Sequence, residues 1–265
     1  MSTEQPTPAW AAEVADDYLT GTLNTFVLTG AVHELQPIDD DGVLRFGTLE
    51  EFVVGELLGS TDSSFTYNRS AGLRANTPES LERLQVNLAS YDQTFATDFS
   101  KVPPRDPGRA LQLVENYVTL QLLDQRSLGV VLNQLEYIAP SGAVGELSPE
   151  DRFSLSTILR WASNPRFLAG SVTFVGICAD RADLNPRLLA SPHVRTITIP
   201  LASDELRARF IATLPRIDLP GELVLGQTAG LSLLAVQRVL ALLRNRGTVS
   251  EYALVELCTR ERAGR

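Results

Sequence analysis

Two amides that follow an apolar segment are the first candidates for chemistry in this sequence. Asn133 and Gln134 come directly after the apolar run Gly129–Leu132, and Glu136 stands two residues further on. A carboxylate at such a place can bind Mg²⁺ or act as a general base. Asn133 and Gln134 are neutral, so neither can act as a base or give the metal an anionic ligand. Glu136 is the candidate substitute base, although its side chain would have to reach back around the strand end.

A phosphate-binding loop of the form G-x-x-x-x-G-K-[ST] does not occur in the sequence. Such a loop needs glycines so that backbone N–H groups contact phosphates, a lysine for the terminal phosphates, and Ser or Thr for Mg²⁺. Lys101 is the only lysine among the 23 Lys and Arg residues, and its surroundings, residues 99–104, contain no glycine. The segments 29–32 and 70–73 contain glycine without the required spacing. The sequence therefore predicts no firm binding of nucleotide phosphates.

Metal-ligating patterns are also absent from the sequence. His33 and Glu34 are adjacent, but the second histidine of a His-Glu-x-x-His motif is missing. Cys178 and Cys258 are far apart and lack metal-ligand spacing. We therefore expect no metal site and no cofactor, with weak binding of ATP and Mg²⁺ left as an alternative.

The composition indicates an ordinary globular protein. Hydrophobic residues make up 44% and charged residues 21% of the chain, so a core of normal size is available. The net charge of −9 argues against broad nucleic-acid binding, which depends on basic surface. The sequence has no membrane-spanning apolar stretch and no secretion signal. We expect a cytoplasmic protein that binds neither membranes nor nucleic acids.

The apolar segments alternate with helical patterns along the chain. Buried strands are predicted at 25–29, 129–132 and 172–177, because these runs are continuously apolar, and another strand is predicted at 195–199, where Pro200 ends it. A further strand is predicted at 64–67. Strands of this kind, separated by helices, indicate a parallel sheet that is covered on both sides.

Capping residues predict where the helices begin. The cap residues precede Pro or a helical apolar pattern, and they are Thr7, Thr48, Thr77, Asp106, Ser148, Ser203 and Thr248. Residues 37–42 are predicted to form an acidic turn. After a Pro- and Gly-rich joint at 219–221, two further helices are predicted near 232–243 and 249–258. This helical end of the chain suggests a small appendage to the sheet.

The stretch from Ala110 to Leu214 resembles the second half of an AAA+ ATPase core. In that family a strand like Gly129–Leu132 ends in two carboxylates. The segment Cys178–Pro186 is similar to the family's sensor-1 segment, with Asp180 where the sensor asparagine would stand. Thr228–Ser232 resembles the start of the family's helical lid.

The N-terminal half resembles a variant found in bacterial AAA+ proteins. Phe26–Glu34 and Tyr67–Arg74 show this resemblance. In such proteins a degenerate ATPase-like domain can precede a second, intact ATPase domain. A continuation of the polypeptide past Arg265 into an intact phosphate loop would favour this interpretation.

The resemblance implies an α/β fold: a parallel-sheet, P-loop NTPase-like core over residues 1–218 with a small helical lid over 219–265. It makes Asn133 and Gln134 remnants of the Walker B pair. Arg187 or Arg195 could be the arginine that completes the site of a neighbouring subunit, the alternative being a surface or salt-bridging arginine.

The leading hypothesis is a catalytically inactive AAA+-like module. It would be a scaffold or regulatory partner of an active AAA+ ATPase domain, or of its own oligomer. The alternative is an ATP-binding or weakly hydrolysing ATPase with a non-standard phosphate site. A third hypothesis is a protein-binding adaptor without ATPase ancestry, because one α/β frame hosts many functions.

Overall fold

The computed structural model describes residues 7–40, 42–246 and 249–263 of the chain. A six-stranded sheet and a separate two-stranded hairpin lie among helices. The strands are β1 Thr25–Gly30, β2 Gln36–Asp40, β3 Val43–Gly47, β4 Ser63–Asn68, β5 Gly72–Ala75, β6 Leu128–Asn133, β7 Val172–Ile177 and β8 Val194–Ile199.

The α-helices have the following bounds. They are α1 Ala9–Leu19, α2 Leu49–Phe52, α3 Pro78–Phe95, α4 Pro107–Leu123, α5 Pro149–Ala162, α6 Pro165–Ala169, α7 Pro186–Leu189, α8 Asp204–Thr213, α9 Gly221–Gln227, α10 Leu233–Asn245 and α11 Glu251–Ala263. A π-helix, Val53–Leu57, follows α2 directly. None of the described helices has the length and apolar content that crossing a bilayer requires.

The large sheet has the strand order β5-β4-β6-β7-β1-β8. Its strands are parallel except β5, which is antiparallel to β4. All six residues of β7 are buried, as the predicted two-sided covering requires. The predicted α/β fold with a mostly parallel sheet and a C-terminal helical region is confirmed.

The chain forms two compact units. Of the described residues, the sheet unit comprises residues 7–32 and Val53–Ile199, and the helical unit comprises those of His33–Phe52 and those from Pro200 onward. These units divide the chain elsewhere than at the predicted boundary between residues 218 and 219. The assignment of residues 219–265 as a lid stays a prediction.

A buried carboxylate explains why residues 33–52 belong to the helical unit. Glu34 is 2% exposed, and its Oε1 accepts a hydrogen bond from the Leu233 N–H (2.6 Å) at the first turn of α10. Ser232 accepts from the Ala235 N–H at the same helix end. A carboxylate at a helix N-terminus satisfies otherwise unpaired N–H groups and is favoured by the helix dipole. Phe46 of the hairpin also packs edge-to-face on Phe210, with ring centroids 4.9 Å apart.

The core of the sheet unit lies between the sheet and helices α3 to α6. Trp161 stacks on Phe174 of β7 with ring centroids 4.9 Å apart, and Phe65 of β4 meets Tyr117 of α4 edge-to-face at 4.8 Å. These aromatic pairs join helices α5 and α4 to strands β7 and β4, which lie on either side of β6. Large aromatic side chains bury the most apolar area per residue, so they dominate the stability of such a core.

Most predicted caps are confirmed. Hydroxyl and carboxylate side chains accept backbone N–H groups at the predicted starts of four helices, with the caps Thr77, Asp106, Ser148 and Ser203. Ser232, which was predicted only as a helix start, also caps its helix. The capping box of Thr48 and Glu51 also forms. The Thr7 cap is wrong, because Pro8 occupies the cap position without a side-chain bond. Thr248 lies outside the described residues.

The structure corrects two segments. Residues 37–42 are not a simple turn, because Gln36, Pro37 and Ile38 are buried in strand β2, which pairs with β3. Only the end of the predicted segment turns, where Asp39 Oδ1 accepts the Gly42 N–H at 2.6 Å. The joint at 219–221 leads directly into a helix, α9, in which Pro220 occupies the cap position without a side-chain bond and Val224 is buried.

Candidate functional site

Three neighbouring strands end at one edge of the sheet. Ile177 of β7 pairs with Asn133 of β6 and with Leu28 of β1, so the carboxyl ends of these strands lie level. The chain after β1 returns to the sheet on the β4 side, whereas the chain after β7 goes to β8 on the other side of β1. Sheets of this type bind ligands outside the carboxyl ends of the strands where such connections diverge. This edge is the candidate site.

The loop after β1 uses its own backbone N–H groups. The Gly30 N–H donates to the Ala179 carbonyl (3.0 Å), the Ala31 N–H to the Ile199 carbonyl (2.9 Å) and the Val32 N–H to the Gly30 carbonyl (2.7 Å). In a phosphate loop, such consecutive N–H groups contact the phosphates. Here each already has an acceptor, and the chain continues into β2 instead of opening a helix.

Gly30 makes this arrangement possible. Its φ is +89°, in the region that glycine occupies without strain. A Cβ at this position would lie 2.9 Å from both the Ile199 carbonyl oxygen and Thr198 Cγ2. The loop therefore lies tightly on the end of β8.

The Asn133 side chain at the end of β6 accepts a hydrogen bond from the adjacent backbone. Asn133 Oδ1 accepts the Gln134 N–H at 2.8 Å, and Asn133 is half-buried. Gln134 is exposed and has a left-handed backbone, with φ at 57°. It precedes a 3₁₀ turn over Leu135–Tyr137. The strand end thus presents two neutral amides and no carboxylate.

Glu136 lies beside Cys178 at this edge. Its Oε2 is buried and has no hydrogen-bond partner among the described residues. The Cys178 thiol donates to the Asp180 carbonyl at 3.0 Å. Burial, and then the nearby Glu136 carboxylate, raise the pKa of Cys178 to about 12. The thiol therefore stays neutral at physiological pH and is a poor nucleophile.

Asp180 caps the short helix after β7. Its Oδ1 accepts the Ala182 N–H at 2.8 Å, at the start of the 3₁₀ turn Arg181–Asp183. The structure thus brings Asp180 to the same edge as Asn133 and Glu136, although Asp180 itself is exposed. Within the described ranges, His, Cys, Asp and Glu residues form no group of three that could hold a metal ion.

Comparison of the sequence with protein-family models identifies the family. Residues 2–200 match the model of the AAA+ chaperone, N-terminal Rossmann-like domain. The chain belongs to this AAA+ chaperone family. A search of the curated proteins found no match.

A solved structure shares the fold. A chain from the E. coli MS115-1 HORMA:CdnC:Trip13 complex superposes with a TM-score of 0.58 at 12% sequence identity, over 94% of this chain and 77% of that chain. At this identity the likeness shows the fold alone. It extends over nearly the whole chain, including residues beyond those that the AAA+ chaperone model matches.

The two arginines that the AAA+ resemblance singled out differ in their surroundings. Arg195 of β8 pairs with Glu13 (2.5 Å) and Asp17 (2.9 Å) of α1, and these carboxylates raise its pKa further. The salt-bridging alternative therefore describes Arg195 in this structure. Arg187 is exposed at the start of α7 and has no ion pair among the described residues. A role for Arg187 in a neighbouring subunit's site stays a prediction.

Asn185 fixes the loops of this AAA+ edge, and the sequence did not single it out. It is 1% exposed, and its Nδ2 donates to the Pro140 and Gly142 carbonyls, both at 3.1 Å. Its Oδ1 caps α7 by accepting the Arg187 N–H. The loops after β6 and β7 are thereby joined through one side chain. The Asn-Pro pair signals only the helix cap.

We expect Gly30→Ala to lower the free energy of unfolding by about 2–4 kcal/mol, because it adds left-handed strain and a close contact with β8. Gly21→Ala is the control. Gly21 has φ at +67°, and a Cβ added there would meet no atom within 4 Å, so only about 1 kcal/mol of strain applies. Urea unfolding measures both. Equal losses would show that the loop does not lie tightly on β8.

Asn185→Ala should destabilise the protein by about 2–4 kcal/mol, since a cap and two buried hydrogen bonds disappear together. Asn164→Ala is matched to it: Asn164 also caps a short helix that begins with Pro, and accepts the Arg166 N–H. It is half-buried, so its loss should cost about 1 kcal/mol. Thermal and urea unfolding compare the two variants. Similar losses would contradict the bridging role of Asn185.

Proposed function

We propose that the chain is a catalytically inactive AAA+-like module that acts as a scaffold or regulatory partner of an active AAA+ ATPase. The bonding of the loop after β1 is the main support. The N–H groups of Gly30, Ala31 and Val32 all donate to backbone carbonyls, so a phosphate would have to displace each of these acceptors, and that of Ala31 lies at the end of β8. Breaking these backbone hydrogen bonds opposes nucleotide binding.

The charge at the edge supports the same proposal. A hydrolysing site needs an anionic ligand for Mg²⁺ and a base that orients water. Asn133 and Gln134 supply neither, and the Asn133 oxygen already accepts a backbone N–H. Phosphate binding, Mg²⁺ binding and the orientation of water are thus all weakened at this edge.

Protein partners fit a family of AAA+ chaperones better than small substrates do. The structural neighbour comes from a complex of several proteins, HORMA, CdnC and Trip13, which suggests the kind of partner without naming it for this chain. We propose an AAA+ ATPase domain, or another copy of this chain, as the partner. Membership in the family argues against an adaptor without AAA+ ancestry.

One observation favours the alternative of a weak ATPase with a non-standard site. The Glu136 Oε2 is buried without a hydrogen-bond partner among the described residues, so this carboxylate could accept a proton from water. A working site would still need another group to bind the phosphates. This alternative therefore requires that ATP binding be observed first.

Isothermal titration of the purified chain with ATP and Mg²⁺ tests the proposal. We expect no heat and no thermal shift at millimolar ATP. Clear binding would contradict the proposal, and the Glu136→Gln variant would then show whether any turnover depends on this carboxylate.

The double variant Asn133→Asp/Gln134→Glu tests whether the two amides alone prevent ATP hydrolysis. It restores both carboxylates without changing the loop after β1. We expect it to remain unable to turn over ATP, because phosphate binding would still be missing. Turnover by the double variant would show that the two amides alone disable the site.

A further inference from the structure

We draw no further inference here: the strongest candidate, the apolar groove of about 970 Å³ that α8, α9 and the segment between them form in the helical unit, carries nothing, because nothing in the part of the chain that the structure describes shows what covers it.

Discussion

The hydrogen bonding of three consecutive N–H groups after β1 constrains the rest of the carboxyl edge. A loop can pair its backbone donors with a ligand or with the protein itself. In this chain they are paired with the carbonyls of Gly30, Ala179 and Ile199. Those acceptors belong to the ends of β1 and β8 and to the loop after β7, so the loop is fixed by the same strands that would otherwise surround a ligand.

The electrostatics of the edge follow from this closure. Under the proposed function the edge binds no phosphates, so it needs neither a lysine there nor carboxylates for Mg²⁺. Asn133 and Gln134 close the end of β6 through a local hydrogen bond, and Cys178 remains a protonated thiol. Glu136 is the exception, since a buried carboxylate oxygen without a donor is unfavourable unless water or a ligand reaches it. A remaining ligand-binding role of the carboxyl edge would therefore be detected through Glu136.

The sequence predicted those parts of the fold that depend on local chemistry. Apolar runs such as Val172–Ile177 became buried parallel strands, and Thr77 and Asp106 became helix caps because their side chains bond N–H groups only three residues away. The hairpin of β2 and β3 was missed because two aspartates and a proline resemble a turn, while its burial depends on distant residues such as Phe210.

The candidate site was predictable in part from local sequence: Asn133, Glu136 and Asp180 follow predicted strands, and parallel strands bring such residues to one edge. The partners of Asn185 and of the Gly30 N–H were not predictable, because each bond joins loops from different strands. Likewise, the bond from Leu233 to Glu34 joins residues far apart in the chain, so the sequence does not indicate it.

A module that binds no nucleotide must be stable without the contribution of a bound nucleotide. A ligand that binds only the folded state adds stability in proportion to its concentration and affinity, and this chain would forgo that contribution. Its sheet unit instead relies on an aromatic and aliphatic core, in which Trp161 and Phe174 stack.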